Sequence, residues 1–313
     1  MERVSVIVST YSKSNLNLVL NCLDSLEKQS LKPCETLLVL DPCPDLVEFY
    51  RSRLPDRFNI VVSNMCGLSN ARNAGIKAAK GEIVAFIDDD AVAASDWLKN
   101  LVRNYIDTSI MGAGGLIKPL WESGHPSWFP DELNWIVGCS YKGLPENRSY
   151  VRNPIGCNMS FRKVVFEKVG YFKSDIGRFG KMLLDGEEPE LSLRILNGIP
   201  KSKIIYDPAA IVYHRVQKKR ARIDYMFKRS FFQGLSKAIV ANQSRRFDKS
   251  MAVENEYVKY LIGEAIPARL KKIYEPQSFS QLAVILFCTT GVFVGFALGK
   301  SRPSSTVISK NNS

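Results

Sequence analysis

Short apolar runs alternate with segments of helical periodicity in the first part of the chain. The runs predict four strands, which are Arg3–Thr10, Glu35–Asp41, Phe58–Ser63 and Glu82–Asp88. Between them, apolar residues recur at helical spacing and predict helices over Asn15–Gln29, Asp45–Arg53 and Leu68–Lys80. Because the strands are apolar along nearly their whole length, the pattern predicts an α/β fold with a mostly parallel sheet covered on both faces.

The pattern changes after Met111. Two shorter strands are predicted near Gly112–Lys118 and Ile155–Phe161, with an aromatic, proline-containing insert between them. A helix is predicted to begin near Glu188, and a last strand to cover Lys203–Tyr213. Together with the first part, these elements predict one large domain over residues 1–215.

A basic, amphipathic helical region is predicted over residues 216–275. The stretch from Arg215 to Glu275 holds 15 Lys or Arg and 6 Asp or Glu, so it carries +9 of the net charge of +12. Such a segment favours an anionic partner, either nucleic acid or the anionic face of a membrane. An apolar segment follows it directly, so we expect the membrane surface and no nucleic acid.

That apolar segment has no charged residue from Pro276 to Gly299. A membrane-spanning helix needs about 20 residues, so we predict a transmembrane or membrane-embedded helix over residues 279–299 and a flexible tail over 300–313. Two alternatives stay open, a buried helix and a hairpin that enters one leaflet with the help of Gly291 and Gly295. Basic residues flank both ends and leave the orientation open.

The seven cysteines show no C-x-x-C spacing, and their number is odd. Neither a zinc site nor a complete disulfide framework is therefore expected. The interpretation is reduced thiols in a cytoplasmic catalytic domain. The apolar run Val4–Val8 is too short for a signal peptide and reads as a strand.

Polar residues follow the ends of the predicted strands, where parallel sheets bind ligands. They are Tyr11, Asp41, Asn64 and Asp88-Asp89-Asp90. Three adjacent carboxylates repel one another, and a divalent cation such as Mg²⁺ or Mn²⁺ would remove that repulsion. In an extended strand end, Asp88 and Asp90 would point to the same side. The alternative is an acidic turn that caps a helix beginning near Asp96.

The segment Gly67-Leu-Ser-Asn-Ala-Arg-Asn73 opens the helix before the fourth strand. Ser69 or Asn70 is expected to cap this helix, whose first turn favours anions. Arg72 could pair with a diphosphate. The alternative is a capped helix with a solvated arginine.

These motifs and others resemble, in order and spacing, the inverting family 2 glycosyltransferases of the GT-A nucleotide-sugar-binding fold. The motifs are Val4-Ser-Val-Ile-Val-Ser-Thr-Tyr11, Asp41, Gly67-x-x-x-Ala-Arg-Asn73, Asp88-Asp89-Asp90, Gly156-Cys-Asn-Met-Ser-Phe161 and Gly186-Glu-Glu-Pro-Glu-Leu191. The resemblance spans roughly residues 3–215.

The resemblance implies roles for single residues at the nucleotide-sugar site. Thr10, Tyr11 and Asp41 would hold the nucleoside, with Asn64 and Asp89 at the same site. Arg72 and Asp88 would face the ribose and diphosphate. Asp90 would bind the metal, and His214 would be a further metal or diphosphate ligand. A histidine packed at a strand end is the alternative for His214.

Glu187-Glu188-Pro189-Glu190 matches the carboxylate pair of this family at a helix start. Glu188 would act as the general base and Glu187 would orient it or the acceptor. The family often has Asp at this position, so Glu188 reaches one methylene further. Acidic residues also favour a first helical turn without any catalytic role.

Three further segments are similar to archaeal and some bacterial transferases that extend dolichyl- or polyprenyl-phosphate sugars, glucuronosyltransferases among them. The segments are Trp128–Gly143, Gly177–Gly180 and Gln233–Lys237. Trp128 and Trp135 could stack on the acceptor sugar, although buried packing is the commoner fate of such aromatics.

The resemblance therefore implies metal-dependent, inverting transfer of a sugar from a nucleotide sugar to a hydroxyl of a lipid-linked saccharide. UDP is the expected nucleotide of the donor. Three alternatives stay open. A transferase that acts directly on polyprenyl phosphate would need no base. A nucleotidyltransferase would need a Gly-rich phosphate loop after the first strand, which the sequence lacks. The third is a non-catalytic membrane-surface binding protein on the same fold.

Overall fold

The computed structural model describes residues 2–55, 57–174, 184–243 and 251–301. Its chain divides into two compact units. The first comprises Met1–Lys118, Pro145–Gly180 and Glu187–Arg215, and the second comprises Pro119–Leu144, Lys181–Gly186 and Val216–Ser313.

The first unit is built on a mixed sheet. Within the described residues its strands are β1 (Val4–Thr10), β2 (Glu35–Leu40), β3 (Asn59–Val62), β4 (Ile83–Asp88), β5 (Ala91–Ala93), β6 (Ile110–Trp121), β7 (Ser149–Tyr150), β8 (Asn158–Arg162) and β9 (Lys203–Val216). They lie in the order β3-β2-β1-β4-β8-β6-β9-β5, and β7 pairs with β9. The pairs among β1 to β4 are parallel, whereas β8 is antiparallel to both β4 and β6.

Helices connect the strands of this unit. They are α1 (Leu16–Glu27), α2 (Pro44–Arg51), α3 (Leu68–Ala78), α4 (Trp97–Val102), α5 (Val164–Val169) and α6 (Glu187–Gly198). Gly75 lets α3 lie close to the sheet, because a Cβ there would be 2.7 Å from Ile7 Cγ2. Buried side chains from α3, α5 and α6 join those of β1, β2, β4 and β8 in one core, which includes Ile76, Phe86, Phe161, Phe166 and Leu191.

The predicted α/β fold is confirmed, and the elements before Asp88 begin and end within a few residues of their predicted bounds. One local expectation is wrong. β4 ends at Asp88, and Asp89 and Asp90 form a turn before β5. The extended geometry that would point Asp88 and Asp90 to the same side is therefore absent from this part of the chain, because the chain turns there to pair β5 with β9.

The second unit is mainly helical. Its helices are α7 (Ile223–Gln243), α8 (Ala252–Tyr260), α9 (Ile266–Leu270) and α10 (Pro276–Ser301). An ion pair at 2.7 Å joins Arg269 of α9 to the buried carboxylate of Glu132. Tyr257 of α8 donates to the carbonyl of Glu132 at 2.6 Å. The aromatic insert is thus held by the basic helices.

Helices α7 and α10 pack side by side and run in the same direction. Small residues recur every fourth position on both helices at the contact, as Ser230, Gly234 and Ala238 on α7 and Gly291, Gly295 and Gly299 on α10. A Cβ at Gly295 would lie 2.0 Å from the Phe231 carbonyl oxygen, and one at Gly234 would lie 2.0 Å from that of Val292. Only glycine permits this backbone approach, which is a familiar feature of helix pairs in membranes.

Candidate active site

Strand register brings residues from three strands to one point at the sheet edge. Ile87 of β4 pairs with Asn158 of β8, so Asp88 lies beside Cys157 at the next position. Ala91 of β5 pairs with His214 of β9, which brings the Asp89–Asp90 turn next to that histidine.

The resulting cluster contains Asp88, Cys157 and His214, whose potential ligand atoms all lie within 4.8 Å of one another. His214 Nε2 also lies 3.2 Å from Asp90 Oδ1. Cys157 and His214 are buried, with exposed fractions of 3% and 2%, whereas Asp88 is only partly buried. Two carboxylates and an imidazole are ligands that divalent cations accept, so this set of side chains fits a metal ion.

Asp89, in the same turn, has a buried side chain. Its Oδ2 accepts a hydrogen bond from Asn15 Nδ2 at 2.8 Å. Burial raises the pKa of Asp89 to about 6, and the charges of Asp90 and Asp88 act in the same direction. This geometry ties the turn to the start of α1, while Asp88 is the carboxylate of the cluster and Asp90 lies beside its histidine.

Arg72 on α3 pairs with the acidic start of α6. Its Nη1 lies 2.9 Å from Glu188 Oε1 and 3.5 Å from Glu187 Oε1. Although burial by itself lowers the pKa of Arg72, the Glu188, Glu187 and Asp88 carboxylates raise it above its ordinary value. The buried guanidinium is therefore charged and lies between two acidic groups. Its Cζ also lies 5.5 Å from the centroid of the Phe172 ring, in a cation–π contact.

Gly156 lies against this ion pair. A Cβ at this position would lie 2.1 Å from Glu188 Oε1 and 2.6 Å from Arg72 Nη2. The absence of a side chain at Gly156 thus makes room for the contact between Arg72 and Glu188.

The residues expected at the nucleoside lie at the ends of β1, β2 and β3 or just after them. Thr10 is buried, whereas Tyr11 is 74% exposed and Asn64 is exposed. Asp41 accepts the Gly67 N–H at 3.3 Å, and partial burial raises the pKa of Asp41. These side chains lie at the carboxyl edge of the parallel strands, as the sequence predicted.

The predicted cap of α3 is wrong. Gly67 stands at the cap position with φ of 110° and no side-chain cap bond, and Asn70 Nδ2 instead donates to the Cys66 carbonyl at 2.8 Å. A positive φ favours glycine, and Gly67 gives its N–H to Asp41.

Trp128 and Trp135 both belong to the second unit. Trp135 Nε1 donates to the Tyr257 hydroxyl at 3.2 Å, and the Trp128 ring lies 6.0 Å from that of Phe129. Both side chains are half-buried. The segment Gly177–Gly180 lies outside the described residues.

Sequence reasoning missed the position of Cys157. A search for closely spaced cysteine pairs cannot find a cluster whose members come from β4, from the turn before β8 and from β9. The available signal was that Cys157 lies inside the Gly156–Phe161 motif.

Comparison with known proteins gives a consistent result. The profile described as "Glycosyl transferase family 2" matches residues 5–170. The glucosyl-dolichyl phosphate glucuronosyltransferase of Haloferax volcanii is 31% identical over 317 residues, which cover 99% of each chain. The succinoglycan biosynthesis protein ExoM of Rhizobium meliloti is 26% identical over 60% of this chain and 58% of its own.

Solved structures show the same fold. The mannosyltransferase PcManGT from Pyrobaculum calidifontis, in complex with GDP-Man and Mn²⁺, superposes with a TM-score of 0.59 at 18% identity, covering 96% of this chain and 88% of its own. GalNAc-T7 with UDP, GalNAc and Mn²⁺ gives a TM-score of 0.53 at 15% identity, covering 84% of this chain and 56% of its own. The sheet is thus a GT-A-like one, and the chain belongs to glycosyl transferase family 2.

Proposed function

We propose that this glycosyltransferase transfers a glucuronosyl group from a uridine-diphosphate sugar to a hydroxyl of a glucosyl lipid phosphate, with inversion at the anomeric carbon. The substrate class is supported by the Haloferax volcanii relative, which matches over the full length of the chain. The observation that carries the mechanism is the contact of Arg72 with Glu188, because it holds a carboxylate at the start of α6 beside a buried guanidinium on which the charge of Asp88 also acts.

In this reaction Glu188 takes the proton of the acceptor hydroxyl while the hydroxyl oxygen bonds to C1 of the donor sugar. The bond from C1 to the diphosphate breaks on the opposite face, and the diphosphate leaves with its electron pair. Glu187, whose carboxylate is also buried against Arg72, holds the arginine in position. A divalent cation held by Asp90, Asp88 and His214 would offset the charge on the leaving diphosphate.

In this mechanism Arg72 would bind two anions, the Glu188 carboxylate and the leaving diphosphate. Its guanidinium touches Glu188 at 2.9 Å, and the leaving diphosphate is the second anion that it would contact. A bound donor would compete with Glu188 for this guanidinium, so donor binding would release the base for the acceptor. Glu188 would then stay paired with Arg72 until the donor binds.

The experiment for this function uses membranes that contain the protein, a panel of nucleotide sugars and mass spectrometry of the extracted lipids. The expected product is a lipid-linked glucosyl saccharide that has gained one glucuronic acid. A product in which the new sugar is attached directly to the lipid phosphate would contradict the proposal.

Gly156→Ala is expected to lower the transfer rate by about 10²-fold, since misplacement of a catalytic group by about 1 Å can have that effect. The new Cβ meets flexible side-chain ends rather than backbone, so the fold should persist while Glu188 and Arg72 shift. Initial rates and thermal melting would be compared with those of Gly263→Ala, where a Cβ would meet nothing within 4 Å. An unchanged rate, or a loss of rate only in step with the melting temperature, would contradict this role of Gly156.

The membrane association of this protein rests on α10, which among the described residues is the helix long and apolar enough to cross a bilayer. Its glycine face is covered by α7. Its remaining surface exposes large apolar side chains, namely Phe279, Leu286, Phe287, Phe293, Val294 and Leu298. This surface is suited to contact with lipid.

We further propose that α7 and α10 lie in the plane of the membrane surface and do not cross it. Phe227 of α7 contacts Phe287 near the middle of α10, so an upright pair would place the exposed Lys228 near the bilayer centre. A lysine there costs about 2.5–3.5 kcal/mol even on the lowest scale. An in-plane pair keeps Lys228 in the headgroup region while α10 contacts the acyl chains.

The in-plane arrangement predicts that both chain termini lie on one side of the membrane. Protease-cleavable tags at the N-terminus and C-terminus would be tested in sealed vesicles whose outer face carries the catalytic domain. Both tags should be cleaved without permeabilisation. Cleavage of the C-terminal tag only after detergent is added would instead establish a span.

A further inference from the structure

The side chains at the metal-ligand cluster include a thiol, which a centre for hard cations does not need. Mg²⁺ and Ca²⁺ prefer oxygen ligands, whereas a thiolate selects softer ions such as Zn²⁺. Cys157 is held at this position by its neighbour Asn158, whose side chain bonds to Trp97 Nε1 and to the Ala210 carbonyl, each at 2.8 Å. Cys157 thus directly precedes a strand residue whose side chain is held on two sides.

The geometry of the cluster is close to that of a zinc site. A tetrahedral zinc with ordinary bond lengths keeps its ligand atoms roughly 3.3–3.8 Å apart. The ligand atoms of Asp88, Cys157 and His214 all lie within 4.8 Å of one another, so closure of about 1 Å is enough. The fourth position of a tetrahedral zinc would be open to water, and Asp90 Oδ1 lies 3.2 Å from His214 Nε2 beside this group.

We propose that Asp88, Cys157 and His214 form a Zn²⁺ site that overlaps the centre for the catalytic cation, so that zinc inhibits the enzyme. Asp88 and His214 would serve both ions, which makes their binding mutually exclusive. The thiol releases its proton to solvent when it binds zinc. The zinc site rests on these side chains alone, and only the inhibition rests on the proposed glycosyl transfer.

The direct test is absorption spectroscopy of the purified full-length protein during titration with Co²⁺, a spectroscopic substitute for Zn²⁺. A cobalt ion bound by Cys157 gives a sulfur-to-metal charge-transfer band in the near ultraviolet. Addition of Zn²⁺ should abolish this band. Cys157→Ser should lack it, and its Zn²⁺ affinity, measured against a chromophoric chelator, should fall by at least about 100-fold, the upper range for loss of a mere supporting partner.

Cys34→Ser is the matched control. Cys34 is exposed and precedes β2, at the end of the sheet opposite to the cluster. This variant should keep the band and the affinity of the unmodified protein. A band that persists in Cys157→Ser, or no band in the unmodified protein, would overturn the zinc site.

Inhibition by Zn²⁺ is tested in a separate experiment, which measures the rate of glycosyl transfer. Zn²⁺ added in the presence of Mn²⁺ should inhibit transfer by the unmodified protein at concentrations at least about tenfold below those needed for Cys157→Ser. Equal sensitivity of both proteins would overturn the inhibitory role. A protein with the band but without any transferase activity would refute the proposed function and leave the zinc site standing.

Discussion

Glu188→Gln is expected to slow glycosyl transfer by about 10²–10⁴-fold, because an amide cannot accept the proton of the acceptor hydroxyl. The substitution keeps the size of the side chain and lets its carbonyl oxygen still face Arg72, so donor binding should be affected much less than turnover. Initial rates at saturating donor and acceptor would measure the effect on turnover. The KM for the donor would be determined in parallel.

Glu167→Gln is the control for this result, since Glu167 is an exposed residue of α5 and its substitution should leave the rate unchanged. A Glu188→Gln protein that keeps most of its rate would contradict the role of Glu188 as base. That outcome would favour the alternative in which the acceptor is a polyprenyl phosphate, because an acceptor that is already an anion needs no base.

Asp90→Asn is expected to reduce transfer by about 10³-fold, since a cation that stabilises a leaving group contributes several kcal/mol and each 1.4 kcal/mol is tenfold. The amide removes one negative charge from the cluster and leaves His214 without its anionic neighbour at 3.2 Å. The concentration of Mn²⁺ required for half-maximal activity should rise at the same time. Rates would be measured over a series of Mn²⁺ concentrations.

The matched control is Asp96→Asn. Asp96 is exposed and accepts a hydrogen bond from Ser30 at 2.6 Å, away from the cluster. It should keep both the rate and the Mn²⁺ requirement. If Asp90→Asn retained the unmodified rate and Mn²⁺ dependence, Asp90 would not be a metal ligand.

The parallel half of the sheet could be predicted from the sequence because β1, β2 and β4 are buried along most of their length and therefore almost continuously apolar, whereas the edge strand β3 is partly exposed. The short strand β5 lacks this signal. Its three residues follow Asp90 directly and are fixed by pairing with β9, more than a hundred positions later in the chain. The turn at Asp89 is a consequence of that long-range pairing, which local periodicity does not encode.

The acidic and basic members of the candidate site were accessible to sequence reasoning because each stands at the end of a recognisable element. Their mutual contacts were not. The approach of Arg72 to Glu188 depends on space left by Gly156, and the position of Cys157 depends on the register of β4 with β8. The small residues at every fourth position of α7 and α10 indicate in the sequence that each helix packs closely against another. They do not identify the partner helix, which only the structure gives.

The central claim is that a metal ion and Glu188 act together in a single inverting displacement. It is tested most directly with purified protein, labelled UDP-glucuronic acid and a glucosyl lipid phosphate, with Mn²⁺ or with excess chelator. The account predicts labelled lipid only when Mn²⁺ is present, with an anomeric configuration opposite to that of the donor. Equal transfer in the chelator, or a product that retains the donor configuration, would contradict it.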